Sequence, residues 1–135
     1  MRGPVAVGGA LGSLGRVALG QAWPASGPWV TWAELTVNVT GAFLLALVVV
    51  RVRDPRWRAG LGTGLLGSWT TVSALGEGVG SRLLSGSVVP GLSYAVLTVV
   101  LGLGAAALGA RVAGPSADGE AVSYTHLTLP TIYSV

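Results

Sequence analysis

Four long apolar runs, at about residues 4–22, 33–50, 59–84 and 88–110, alternate with short polar connections along this chain. About 20 apolar residues in a helix cross the hydrocarbon core of a bilayer. The pattern therefore predicts an all-α membrane protein with four transmembrane helices. The third run is unlike the others. Residues 62–75 read GTGLLGSWTTVSAL, with hydroxyls at Thr63, Ser68, Thr70, Thr71 and Ser73 among three glycines. Glycine weakens a helix by about 1 kcal/mol per residue relative to alanine. A loosened backbone is tolerated at membrane depth only where protein or an aqueous cavity satisfies its freed groups. Two readings are open: an interrupted helix that turns carbonyls and hydroxyls toward an ion or pore, or a small-residue face for packing against another helix.

The other runs carry fewer polar groups. The first contains GGALGSLGRVALG, a glycine-rich face with Arg16 toward one end. A guanidinium inside a span either snorkels to the interface or finds acceptors, so Arg16 is a boundary charge or a vestibule residue. Trp23, Trp29 and Trp32, with Pro24 and Pro28, form a connection that reads as an interfacial aromatic belt. The second run centres on ELTVNVTGAFLLAL, where Asn38 is either an interhelical hydrogen-bonding group or a polar group for a solute. Glu77, near the far end of the third run, reads as a solvated boundary charge. In the fourth run Tyr94 and Thr98 are four residues apart and share one helix face. From Gly114 onward the composition changes to a polar, aperiodic stretch. Residues 1–113 are thus expected to form the membrane unit, and 114–135 a non-native or disordered tail. His126 falls in that tail and receives no role.

Composition agrees with the pattern. The chain is 51% hydrophobic and only 10% charged, far below the ~25% charged residues of soluble domains. Its 135 residues leave no room for a separate soluble domain. The first run is expected to be a retained span, because Arg16 interrupts it and no small-residue cleavage site follows. There is no cysteine, so disulfides and thiolate metal sites are excluded. The basic balance comes from arginine alone and is read as topology, with no nucleic-acid partner. Arg2, Arg51, Arg53, Arg56, Arg58 and Arg111 would lie on one side of a four-span chain, against Arg82 on the other. By the positive-inside rule both termini are expected in the cytoplasm.

Three blocks, in order, resemble the Fluc (CrcB) fluoride channel family over about residues 5–110: GGALGSLGR, TVNVTGAFLLAL and GLLGSWTTVSAL. The resemblance implies a bacterial plasma-membrane, multi-pass channel subunit that lets fluoride leave the cytoplasm passively. It implies two subunits assembled antiparallel within membrane lipid, and a structural sodium ion (Na+) held by the backbone carbonyls of Gly67 and Thr70. It also implies a fluoride pathway along Arg16, Asn38, Thr71, Ser73, Tyr94 and Thr98. One departure stands out. The family carries two phenylalanines where this chain has Val72 and Leu75. Phenyl rings present electropositive edges to an anion, so this subunit lacks its own aromatic contribution. That loss and the one-sided arginines both fit one subunit of an antiparallel heterodimer whose homologous partner supplies the rings.

Two other classes compete. A proton-coupled small multidrug exporter needs a carboxylate deep in the first span, and that span holds Arg16 and no acid. A non-conducting membrane assembly partner is the other alternative. With no cysteine, no usable histidine, and Glu34 and Glu77 near span ends, no catalytic set is visible and the chain is not expected to be an enzyme.

Overall fold

The computed structural model describes residues 2–23 and 31–115. Trp29, His126 and the tail beyond residue 115 lie outside the described residues. Among the described residues the chain is helical and has no strand. Its elements are α1 (Arg2–Ala22), α2 (Trp32–Arg51), α3 (Pro55–Arg58), a π-helical segment (Ala59–Leu66), α4 (Gly67–Trp69), α5 (Val72–Leu84) and α6 (Val88–Ala113). Apolar α2 and α6 are each long enough to cross a bilayer. Two such helices and the apolar faces described below agree with an integral membrane protein.

Local chemistry explains where the helices begin and end. Asp54 caps α3, its carboxylate accepting hydrogen bonds from the amides of Arg56 and Trp57, and Pro55 occupies the first helical position. Helical backbone therefore starts within the basic connection rather than at residue 59. At the other end of α2, Arg51 donates from Nε to the Ala113 carbonyl and from Nη2 to that of Val112. This tie holds the last turn of α6 beyond residue 110. The turn from α5 to α6 closes on Gly86, whose φ of 79° suits glycine. The Ser87 amide donates to the Arg82 carbonyl at 2.8 Å and the Gly86 amide to that of Leu83 at 3.0 Å. This is a Schellman closure that turns the chain back on itself.

Two seams hold the bundle. In the first, α1 lies against the π-helical segment and α4. Gly8 and Gly12 meet the backbone of Gly60 and Leu65, with Gly64 set against Val5. The Ser68 hydroxyl lies 2.9 Å from the Gly9 carbonyl across this seam and 2.7 Å from that of Gly64 within its own turn. In the second seam α2 lies along α6, where Gly109 meets the Phe43 carbonyl, and α5 closes on α6 from the side. Outside the seams the surface is apolar. Leu92, Val96, Val99 and Leu103 are exposed along α6, as are Val7, Leu11 and Leu14 on α1. Such contiguous apolar area belongs against lipid or another chain.

Candidate functional site

Between α4 and α5 the backbone leaves the helix. Thr70 has ψ 156° and Thr71 has φ −147° and ψ 119°, so two consecutive residues are extended. A buried peptide group at membrane depth must find a partner, and Asn38 supplies it. Asn38 Nδ2 donates to the Thr71 carbonyl at 3.1 Å, while the Thr71 amide donates to Asn38 Oδ1 at 2.8 Å. One side-chain amide thus satisfies both backbone groups of one residue. Thr71, itself buried, then caps α5: its Oγ1 accepts from the Ala74 amide at 3.2 Å and lies 3.1 Å from Ser73 Oγ.

This arrangement turns two amides away from the carbonyls they would meet in a continuous helix. In an uninterrupted α-helix the Thr71 amide would bond to the Gly67 carbonyl and the Ala74 amide to that of Thr70. Here the first is directed to Asn38 and the second to Thr71 Oγ1. Gly67 is exposed and carries no side chain to cover its carbonyl.

A cavity of about 210 Å³ lies beside Thr71, between α1, α2 and α5, with Arg16, Glu34 and Val37 in its wall. Tyr94 on α6 is fully buried, and its hydroxyl donates to Glu34 Oε2 at 3.1 Å. Thr98, one turn further on, is also buried and donates to the Tyr94 carbonyl at 2.9 Å. The Arg82 guanidinium sits 5.0 Å from the Tyr94 ring centroid, within cation–π range.

The residues singled out from the sequence therefore fall into connected groups. Asn38, Thr71 and Ser73 form one hydrogen-bonded chain, and Arg16 reaches the cavity beside Thr71. Tyr94 and Thr98 stack on one face of α6, and Tyr94 reaches the same cavity through Glu34. Val72 is 83% exposed, Ser73 is exposed beside it, and Leu75 is half-buried. Of residues 62–75, the first half packs against α1 through Gly64 and Ser68, and Thr70 and Thr71 are extended between α4 and α5. Glu34 and Arg82 were missed from sequence. Glu34 lies four residues before Asn38 and so shares its helix face. That spacing was a usable signal.

Comparison with known proteins adds to this geometry. The family described as "CrcB-like protein, Camphor Resistance (CrcB)" matches residues 4–110. "Fluoride-specific ion channel FluC 1" of Cutibacterium acnes is 39% identical over 108 residues, covering 74% of this chain and 76% of that protein. "Fluoride-specific ion channel FluC 2" of Nocardia farcinica is 36% identical over 115 residues, covering 81% of each. A "Fluoride-specific ion channel FluC" of Thermus thermophilus is 39% identical over 115 residues, covering 82% of this chain and 92% of that protein.

Proposed function

This chain belongs to the CrcB-like family, and from that premise we propose that it is a subunit of a fluoride-selective channel. Fluoride would leave the cytoplasm passively through it, lowering the toxicity of the ion. The observation that carries the reading is the Asn38–Thr71 pairing, which holds an extended backbone break beside the Arg16 cavity. We read the break at Thr70 and Thr71 as the interruption of a third membrane helix running from Pro55 to Leu84. Fluoride is small and strongly hydrated, so a pore must replace its water with fixed donors at the right spacing. The hydroxyls of Thr71 and Ser73, the Asn38 amide and the Arg16 guanidinium are the donors we assign to this pathway, joined by Tyr94 and Thr98 where an arriving anion draws their protons from Glu34 and from the Tyr94 carbonyl. No covalent step is required.

The same reading assigns the carbonyls of Gly67 and Thr70 to a sodium ion. Neutral oxygens whose helical amide partners point elsewhere suit a hard cation. A sodium ion there would add a fixed positive charge that ties the break in place, and its role is structural. Four spans would place both termini and the Arg51 to Arg58 connection in the cytoplasm. Val72 and Ser73 face outward from this subunit, as positions covered by a second subunit would. That second subunit is an antiparallel homologue that brings the phenyl rings absent at Val72 and Leu75.

Growth of a fluoride-exporter-deficient bacterium under fluoride tests the pairing. Rescue is expected when this chain is expressed together with a homologous subunit of reversed arginine bias, and not when it is expressed alone. Full rescue by this chain alone would overturn the heterodimer. No rescue by the pair, with both chains in the membrane, would overturn conduction.

A further inference from the structure

Glu34 is half-buried on α2, and its Oε2 accepts the Tyr94 hydroxyl at 3.1 Å. The same side chain lines the 210 Å³ cavity together with Arg16 and Thr71. Charges of both signs face the pair, Arg82 and Arg16 on one hand and the Glu77 carboxylate on the other. Arg82 lies 5.0 Å from the Tyr94 ring centroid and is held there by donating from Nη1 to the Gly78 carbonyl at 2.6 Å and from Nη2 to the Thr31 hydroxyl at 3.3 Å. Gly78 lets the Tyr94 ring and Arg82 come close: a Cβ there would lie 3.2 Å from the ring and 3.3 Å from Arg82 Nη1, and in ordinary contact, 3.6 Å, with Glu34 Oε2.

A phenol has one proton to donate. While the Tyr94 proton is given to Glu34, it is withheld from any other anion. A fixed carboxylate in a largely apolar wall also repels a second negative charge far more strongly than it would in water. We propose that Glu34 is a tethered anion occupying a small-anion recognition site made by the Tyr94 hydroxyl beneath Arg82, and that it thereby throttles conduction. An incoming hard anion must displace the carboxylate from Tyr94, and the cavity toward Arg16 gives the side chain space to swing aside. This inference rests on the channel reading, with fluoride as the displacing anion.

The test is fluoride efflux from vesicles holding the complete assembly, with Glu34→Gln and Glu34→Asp compared with the unaltered chain. Glutamine keeps the shape and an acceptor for Tyr94 but removes the charge. Aspartate keeps the charge and draws it back from Tyr94. Glu34→Gln is expected to conduct at least about tenfold faster, a factor equal to 1.4 kcal/mol of removed repulsion. Glu34→Asp is expected to fall between the two. Assembly size, followed by size-exclusion chromatography, is expected to stay constant. Efflux unchanged or slowed by Glu34→Gln in an intact assembly overturns the throttle and leaves the channel reading standing. No efflux from the unaltered chain or from either variant overturns the channel reading, and the throttle with it.

Discussion

Replacing Asn38 by alanine is expected to abolish fluoride conduction and to destabilise the folded chain by about 2–6 kcal/mol. The magnitude follows from what Asn38 does. It is the partner of both the amide and the carbonyl of Thr71, and each buried backbone group left without a partner costs about 1–3 kcal/mol. Water cannot make up the loss freely at membrane depth. The backbone would be driven to re-form the helical bonds from the Thr71 and Ala74 amides, which would occupy the Gly67 and Thr70 carbonyls and take away the Thr71 cap together. Asn38→Asp is the sharper control, because it keeps the acceptor for the Thr71 amide, loses the donor to the carbonyl, and adds a negative charge to an anion pathway. Thermal unfolding in detergent and fluoride efflux from vesicles check the two effects separately. An alanine variant with full stability and full efflux would show that the break does not depend on this amide.

Gly12→Leu is expected to have the second largest effect, a loss of about 1–3 kcal/mol or more and a failure to form a well-packed bundle. A Cβ at Gly12 would run into the Leu65 carbonyl and the Ser68 hydroxyl, and at Gly8 into the Gly60 carbonyl. The Leu65 and Gly60 obstacles are backbone, which cannot turn aside as a flexible side chain can. The π-helical segment would have to separate from α1, breaking the Ser68 contact to Gly9. Gly20 is the matched control, because nothing lies near a Cβ built there. Gly20→Ala is expected to hold the unfolding temperature or raise it slightly, because alanine favours the helix, and a drop equal to that of Gly12→Leu would remove the seam as the explanation.

These expectations also mark what the sequence could and could not reveal. The bilayer imposes a length on apolar helices, so the four runs and the anomaly in the third were legible from hydropathy alone. The glycines of α1 were legible as a close-packing face for the same reason. The polar residues of the site, Asn38, Thr71, Ser73, Tyr94 and Thr98, stood out because hydroxyls and amides are costly in hydrocarbon and need a reason to be there. What they bond to was hidden. That Asn38 serves the backbone of Thr71, 33 residues away, depends on how α2 meets the break, and no local pattern encodes it. The extent of α6 past residue 110 was hidden because a tie from Arg51 on another helix sets it. Glu34 was read as a boundary acid because it lies near the start of α2. Its role depends on α6 bringing Tyr94 alongside, with Gly78 leaving space.

The central claim is that this chain forms part of a pathway selective for fluoride, and anion efflux from vesicles addresses it most directly. Vesicles loaded with both fluoride and chloride and reconstituted with this chain and its homologous partner should release fluoride rapidly and retain chloride. The same vesicles carrying Asn38→Ala should retain both ions. Retention of fluoride by the intact pair, or release of chloride alongside fluoride, would contradict a fluoride-selective channel.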